Sequence, residues 1–294
     1  MNEIKVRAYA KLNLTLDILG RRADGYHDLA TVMQSVSLHD TLKAVRTVNP
    51  GVAVYTSRPD VPSNEKSLIR RAANAFFART GISDGVRLML ESRIPMQAGL
   101  GGGSADAAAA LTALNRLFGA GLSDAQLAEL GLTLGADVPF CLVGGTQLAE
   151  GVGERLHPLP PLPDCCLVLL KPEAGAATAE QYARADALPR LPHPSARRME
   201  QALAHGELRE IAGSLGNSFE AVIGLRCVAQ CREFLCAHGA LGACMTGSGS
   251  TVFGLFNDER AAREAAAQAM TALPGAQVFV SRPVGAGCAV AEEQ

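Results

Sequence analysis

The stretch from Pro95 to Asn115 holds the residues whose types and spacing most clearly point to chemistry. Its glycines stand where a strand-like segment passes into a helix-like one: Gly99, Gly101, Gly102 and Gly103. Glycine lets the backbone approach an anion closely, and the start of a helix offers free N–H groups and the positive end of the helix dipole. We expect Ser104 to cap that helix. The stretch therefore predicts a turn that binds phosphate.

Two familiar phosphate-binding turns are excluded by the residues that follow the glycines. A Walker A sequence needs Gly-Lys-Ser or Gly-Lys-Thr there, and Ser104 occupies the place of the third glycine in G-x-G-x-x-G. A simple flexible turn is the alternative, but four glycines in five residues carry an entropic cost that argues against it. The sequence favours a phosphate-binding turn of another kind.

A lysine and an aspartate are the candidates for acting on a group beside the phosphate. Residues 4–18 alternate between apolar and polar side chains, which predicts a long strand with Lys11 and Asn13 on its polar face. A solvated face is the alternative for this pair. Asp137 lies among apolar residues in the segment Gly135–Phe140. A buried carboxylate needs a partner, and Lys11 is the candidate.

An aromatic pair, Tyr26 and His27, directly follows the turn signal Ala23-Asp24-Gly25. A tyrosine beside a histidine on a loop can stack on a flat ring and hydrogen-bond to the edge of that ring. Ordinary packing is the alternative for this pair.

The elements that must position these residues fall into two parts. Before the glycines, residues 86–90 alternate as a strand does, and the alanine-rich helix after them ends at Gly119. The proline-rich segment 157–163 marks a junction, so we expect domains over residues 1–157 and 158–294. In the second part, strands separated by helices predict an α+β sandwich with one face of its sheet covered.

Local signals predict further boundaries. Ser123 and Gln126 form a capping box that begins a helix, and Asp258 caps a helix that ends near Leu273. Other helices are expected over 195–203, 206–213 and 220–237, and strands over 32–38, 52–56, 165–170, 252–256 and 278–280. The tail after Gly285 is expected to be loosely ordered.

Composition excludes several classes of function. The net charge of −2 and the aromatic content of 4% give no support to a nucleic-acid-binding surface. We find neither the apolar core of a signal peptide nor a run long enough to span a bilayer, so we expect a cytoplasmic protein that binds neither nucleic acid nor membrane. Its eight cysteines include no Cys-x-x-Cys and are expected to be buried, reduced thiols. The sequence leaves the oligomeric state open.

Four stretches together carry a resemblance to the GHMP kinase superfamily, and they span residues 8–256: AYAKLNLTLDILGRRADGYHDL, PMQAGLGGGSADAAAAL, GADVPFCLVGGTQLAEGVGE and MTGSGSTVFGLF. The resemblance implies a two-domain α+β fold. The amino-terminal domain would contain a left-handed β-α-β crossover, and the carboxy-terminal domain would be a ferredoxin-like sandwich. It also implies an ATP-dependent kinase acting on the 2-hydroxyl of a small molecule, a cytidine-diphosphate-linked methylerythritol, in the non-mevalonate route to isoprenoids.

The same resemblance implies residue roles in phosphoryl transfer. Asp137 would take the proton of the attacking hydroxyl, Lys11 would orient that hydroxyl and keep Asp137 ionised, and Asn13 would contact the polyol. Mg²⁺ is expected with ATP, with Ser104 as the best candidate ligand. The ATP phosphates would be held by Pro95, Gly99, Leu100, Gly101, Gly102, Gly103, Ser104 and Ala105.

At the other end of the substrate, Tyr26 would stack on the cytosine and His27 would hydrogen-bond to its edge. The segment containing Thr178 and Tyr182 is similar to the family's Ser-Thr-Ala-x-x-aromatic pattern, which would make Tyr182 the opposite face of the cytosine clamp. Residues 247–249 would line the site near the phosphates, or form only a tight turn. Residues 217–220 depart from the family's Asn-Asp-Leu-Glu pattern, and their role is left open.

Two other functions compete with this one. A mevalonate-type or homoserine-type kinase would keep the fold, but its small acid has no ring for Tyr26 and His27 to bind. A nucleotide-binding protein without catalysis would not need both Lys11 and Asp137. RNA binding is a third alternative, disfavoured by charge and aromatic content.

Overall fold

The molecule consists of two sheets with helices packed against them. The structure is a computed structural model that describes residues 2–291. The strands of the first sheet are β1 (Glu3–Arg21), β2 (His27–Thr47), β3 (Gly51–Thr56), β4 (Gly85–Glu91), β5 (Thr146–Gly151), β6 (Arg155–Pro158), β8 (Gly216–Asn217) and β12 (Cys288–Val290). Those of the second sheet are β7 (Cys166–Lys171), β9 (Gly242–Met245), β10 (Val252–Phe256) and β11 (Gln277–Ser281), in the spatial order β11-β7-β10-β9.

The helices cover these sheets and lie largely between the strands in the chain. Their bounds are α1 (Leu68–Thr80), α2 (Gly102–Phe118), α3 (Asp124–Leu132), α4 (Val138–Val143), α5 (Thr178–Ala187), α6 (Ala196–His205), α7 (Leu208–Ala212), α8 (Arg226–Ala237) and α9 (Glu259–Ala272). The predicted capping box at Ser123 and Gln126 and the cap by Asp258 are both confirmed. No helix within residues 2–291 is long and apolar enough to cross a membrane.

The long strand β1 takes part in two hydrophobic cores. Leu12 and Leu14 lie in the first core, which the first sheet forms with α1 and α2, whereas Leu16 and Ile18 lie in the second core, under α8 and α9. The pairing of β1 with β2 shifts register between Asn13 and Thr15. Such a shift bends a strand and re-aims its side chains, so β1 passes from one core to the other at this point.

A parallel unit, β3–α1–β4, leads to the glycine-rich segment. The strands β3 and β4 pair in parallel, and α2 follows β4 and packs against β1 and β2. Because α2 consists largely of alanine on its buried face, its backbone lies close to the sheet. The start of α2 is thereby fixed against β1.

The structure differs from the sequence-based expectations at several elements. The helix α2 begins after Gly101, not with Ser104 as its cap, because Gly101 takes the left-handed conformation (φ 70°) that ends the turn. The helix expected over 220–237 begins only at Arg226, after a 3-10 turn at Ser218–Ala221. The helix α5 was not predicted. The tail after Gly285 contains β12, which pairs with β1; residues 292–294 lie outside the described residues.

Both faces of the second sheet are covered, where the sequence predicted one. Leu167 and Leu169 of β7 lie in the first core, whereas Val168 and Leu170 lie in the second core. A strand buried on both faces has a continuous apolar sequence and not an alternating one, so the apolar run of β7 already indicated a second covered face. The domain boundary after residue 157 stays a prediction, and β12 shows that the end of the chain returns to the first sheet.

Candidate functional site

A cavity of about 1010 Å³ lies where the two halves of the molecule meet. Its lining includes most of the site residues predicted from the sequence: the glycine turn (residues 95–104), Lys11 and Asp137, the aromatic residues near Tyr26, and residues 247–249. Ala105, also expected at the ATP phosphates, is buried in α2 and does not line the cavity. These segments are far apart in the chain. The fold brings them to one place.

The glycine turn is shaped by close approach of other groups. Gly99 and Gly101 both have positive φ, and a Cβ on Gly99 would stand 2.1 Å from the carbonyl oxygen of Thr246. A Cβ on Gly101 would stand 2.9 Å from Cγ of Lys11. Helix α2 has no side-chain cap, and the first N–H groups of a helix have no partner within it. The turn therefore offers free donors and the positive end of α2 to an anion in the cavity.

Lys11 lies beside this turn and points to Asp137. Its backbone N–H donates to the carbonyl oxygen of Leu100 at 3.0 Å. Its Nζ donates to Oδ1 of Asn13 at 2.8 Å and lies 3.5 Å from Oδ2 of Asp137. The lysine side chain is only 6% exposed, whereas that of Asp137 is 37% exposed. Lys11 is therefore the partner of Asp137, as predicted. The Asp137 side chain is more exposed than expected for a buried carboxylate, so it can contact a group in the cavity.

Asn13 is held by hydrogen bonds on every side. Its Oδ1 accepts from Nζ of Lys11 and from the N–H of Gly247 (3.0 Å), and its Nδ2 donates to Oγ1 of Thr31 at 2.8 Å. Its own backbone N–H donates to Oγ1 of Thr246 at 3.0 Å. The amide of Asn13 therefore connects Lys11 to the second turn (residues 245–250), and its contact with a polyol stays a prediction.

The aromatic end of the cavity is built around His27. Its ring stacks on Tyr182 with centroids 4.4 Å apart, and its Nε2 lies 2.7 Å from Oδ1 of Asp186. Arg21 lies 3.7 Å from the other oxygen of Asp186. Burial raises the pKa of Tyr182 to about 12, so its hydroxyl stays neutral. Tyr26 is 64% exposed at the mouth, and a cytosine clamp between Tyr26 and Tyr182 stays a prediction.

The second turn closes the cavity from the carboxy-terminal half. Ser248 shares a 2.8 Å hydrogen bond with Thr178, and Oγ1 of Thr246 donates to the carbonyl oxygen of Gly99 at 3.2 Å. Residues 247–249 form a turn, with positive φ at Gly247 and Gly249, and they line the cavity. Their place near the phosphates stays a prediction.

Two buried carboxyl groups lie behind the glycine turn. Oδ1 of Asp40 accepts hydrogen bonds from the N–H groups of Arg93 (2.5 Å) and Ile94 (2.7 Å). Asp106, in α2, is buried, and its Oδ1 has no partner among residues 2–291. Burial, and then the charge of Asp40, raise the pKa of Asp106 well above its usual range. Through its two backbone contacts, Asp40 holds the segment that follows β4 and leads into the glycine turn.

Several of these residues were missed from the sequence. Asp106 carried a signal, because it is the one acid in the run SADAAAAL. Asp186, Thr246 and Asp40 carried none that is specific, because each acts on a residue far away in the chain.

The donor set available to Mg²⁺ is small. Within residues 2–291 there is no group of three or more His, Cys, Asp or Glu side chains arranged to hold a metal ion. Mg²⁺ at nucleotide sites usually binds the phosphates and keeps several waters, with one or two protein oxygens. Ser104 and Asp137 both line the cavity. These residues fit a metal ion that arrives with the nucleotide.

The chain is similar in sequence to known kinases over most of its length. The chain matches the family descriptions "GHMP kinases N terminal domain" over residues 67–145 and "GHMP kinases C terminal" over residues 199–274. A protein of Pelotomaculum thermopropionicum, named 4-diphosphocytidyl-2-C-methyl-D-erythritol kinase, is 46% identical over 267 residues, or 90% of this chain and 93% of that protein. One of the same name from Lachnoclostridium phytofermentans is 39% identical over 284 residues, or 96% and 98%.

Two solved structures resemble this chain, one in sequence and fold and the other in fold alone. A crystal structure of 4-(cytidine 5'-diphospho)-2C-methyl-D-erythritol kinase is 36% identical, with a TM-score of 0.80 over 96% of this chain and all (100%) of that one. A homoserine kinase of Cytophaga hutchinsonii is 20% identical, with a TM-score of 0.78 over 99% and 98%. The second similarity concerns the fold alone.

The raised pKa of the buried Asp106 predicts how the free energy of unfolding depends on pH. Because its pKa is raised in the folded protein, the native state binds more protons than the unfolded state above about pH 4. This carboxyl group therefore lowers the free energy of unfolding as pH rises from about 4 towards its raised pKa. Asp106→Asn supplies a donor without a titration, so the variant should gain stability relative to wild type as pH rises.

Urea unfolding at a series of pH values measures this difference. The exposed Asp124→Asn serves as the matched control, and its difference from wild type should stay nearly constant. A difference between Asp106→Asn and wild type that stays flat or falls with pH would show that Asp106 is ionised in the native state.

Proposed function

The chain belongs to the GHMP kinase family and has its two-domain fold, and we propose that it transfers the γ-phosphoryl group of ATP to the 2-hydroxyl of 4-diphosphocytidyl-2-C-methyl-D-erythritol. The shared name and nearly full coverage of its relatives support this substrate. The observation that carries the proposal is the convergence of Lys11, Asp137 and the glycine turn on one cavity that also contains an aromatic end.

Phosphoryl transfer needs positioning and charge stabilisation more than covalent help from the protein. The N–H groups of the glycine turn and the start of α2 hold the phosphates of ATP. A Mg²⁺ ion bound with ATP neutralises charge on the phosphates, and Ser104 is its proposed protein ligand. The 2-hydroxyl lies between Asp137 and the γ-phosphorus, so its oxygen forms the new P–O bond while the bond to the β-phosphate oxygen breaks.

The proton of the 2-hydroxyl goes to the carboxylate of Asp137. The Lys11 ammonium forms an ion pair with that carboxylate, with its Nζ 3.5 Å from Oδ2 of Asp137. The ammonium also orients the attacking oxygen towards the carboxylate that takes its proton. Asp137 combines a charged partner with an exposed edge, and that combination suits a base that must meet its substrate.

The aromatic residues recognise the nucleotide end of the substrate. Tyr26 stacks on the cytosine, His27 contacts its edge, and Tyr182 closes the opposite face after the His27–Tyr182 stack adjusts. Thr178 lines this part of the cavity beside Ser248. A homoserine or mevalonate kinase would need none of these rings, and its small acid would leave the aromatic end empty.

A substrate screen separates this function from its rivals. Purified protein with ATP and Mg²⁺ should release ADP with 4-diphosphocytidyl-2-C-methyl-D-erythritol and not with mevalonate or homoserine, measured by a coupled assay for ADP. Turnover of mevalonate or homoserine, with none of the cytidine compound, would refute the proposed substrate. ATP binding without ADP release from any of the three would favour a nucleotide-binding protein.

Replacement of the proposed base should affect turnover more than binding. Asp137→Asn keeps the size of the side chain but loses the charge that accepts the proton. We expect kcat to fall by about 10²- to 10⁴-fold, with KM for the cytidine substrate changed by only a few fold. Asp124→Asn, on the surface helix α3, is the control. A near-normal kcat for Asp137→Asn would remove this residue from the role of base.

Loss of the exposed ring should instead affect substrate binding. Because stacking of one base on an aromatic side chain contributes about 1–3 kcal/mol, Tyr26→Ala should raise KM for the cytidine substrate at least several fold and leave kcat nearly unchanged. Steady-state kinetics measures both constants. Tyr55→Ala removes a similarly exposed tyrosine outside the cavity and should change neither. An unchanged KM in Tyr26→Ala would show that this ring does not bind the base.

A further inference from the structure

Asn217 is a buried asparagine whose whole amide is used by two backbone segments. It lies in β8, which pairs in parallel with Thr15 and Leu16 of β1. Its Nδ2 donates to the carbonyl oxygens of Met245 and Gly247, each at 2.8 Å, and its Oδ1 accepts from the N–H of Phe219 at 2.9 Å. The side chain therefore ties the second turn to the strand β1.

The turn that Asn217 holds lies against the two segments that build the phosphate and alcohol ends of the site. Gly247 has a φ of +57°, and a Cβ there would stand 2.8 Å from the carbonyl oxygen of Gly99. Its N–H donates to Oδ1 of Asn13 at 3.0 Å. Thr246 contacts both neighbours through its hydroxyl group, which accepts from the N–H of Asn13 and donates to Gly99.

The second turn is connected to the Lys11 ammonium through one oxygen atom of Asn13. Oδ1 of Asn13 accepts from Gly247 and, at 2.8 Å, from Nζ of Lys11. A displacement of Gly247 therefore moves or rotates the amide that holds Lys11. The connected path runs from Asn217 to Gly247, to Asn13 and to Lys11, through groups that are 2–5% exposed at its three side chains.

We propose that Asn217 is a positioning residue for phosphoryl transfer: by fixing Gly247 it fixes Asn13, and Asn13 holds the Lys11 ammonium at the reacting hydroxyl. This rests on the proposed function of Lys11. Misplacement of a catalytic group by about 1 Å can cost about a hundredfold in rate. Asn217 itself touches neither substrate, so its loss acts on turnover and spares binding.

The alternative role is purely structural, and an independent asparagine in the chain provides the comparison. Asn115, near the end of α2, holds the loop that follows this helix. Its Nδ2 donates to the carbonyl oxygen of Leu122, and its Oδ1 accepts from the N–H of Leu122. It makes the same kind of contacts at a distance from the cavity. Asn115→Ser therefore shows how the loss of an amide that holds a loop affects Tm when the cavity is not involved.

Asn217→Ser is the test. We expect kcat to fall about tenfold to a hundredfold, with KM for ATP and for the cytidine substrate within about twofold. Asn115→Ser should lower Tm and leave kcat unchanged. If Asn217→Ser lowers Tm as Asn115→Ser does and keeps a normal kcat, Asn217 is structural and the proposal is wrong.

A double-mutant cycle checks the path. In an Asn13→Ser background, where the shared oxygen is absent, Asn217→Ser should reduce the single-turnover rate by less than twofold further. An equally large loss in both backgrounds would show that Asn217 does not act through Asn13.

Thr246 tests the same connection should Asn217→Ser fail to fold. Thr246→Val removes the hydroxyl that contacts Asn13 and Gly99, so kcat should fall, and Thr246→Ser, which keeps the hydroxyl, should restore it. A normal kcat in Thr246→Val would overturn the proposal. All these assays use the alcohol that wild-type protein phosphorylates, so a different substrate would refute the proposed function and leave this test intact.

Discussion

A buried ammonium group sets the constraint on which the site depends. Lys11 lies on β1 of the first sheet with its side chain 6% exposed, and a charge in such a place must be paired and hydrogen-bonded. Asn13 and Asp137 meet that need. The stem of the lysine occupies the space that a side chain on Gly101 would fill. The shape of the glycine turn therefore follows in part from the position of Lys11.

The constraint also explains why the site needs both halves of the chain. The strand β1 enters the first core and continues into the second, and its bend falls beside Asn13. The second turn contacts Asn13 and Gly99 from the carboxy-terminal half. Each half contributes one surface of the cavity, so their packing decides the distance between the phosphates and the alcohol.

The sequence predicted the parts of this arrangement that have local signatures. Alternation over residues 4–18 predicted β1, and the glycines predicted the turn before α2, because both patterns arise from backbone geometry within a few residues. The pairing of Asp137 with Lys11 followed from chemistry, since a carboxylate among apolar residues needs a cation. The similarity to GHMP kinases extended these predictions to a fold and an activity, and the comparisons confirmed both.

Long-range partnerships had no such signature. The hydrogen bonds of Asp40 to the segment after β4, the return of β12 to β1 and the hydrogen bonds of Asn217 each join residues that are distant in the chain. Ser104 was expected to cap α2 because its residue type is a common cap, whereas the close approach of Lys11 favours Gly101 there. A crystal structure with the cytidine substrate and a non-hydrolysable ATP analogue tests the arrangement of Lys11 and Asp137 most directly. We expect the 2-hydroxyl oxygen within about 3.2 Å of both the Asp137 carboxylate and the Lys11 ammonium, facing the γ-phosphate. A hydroxyl that contacts neither group would show that these two residues do not act on it.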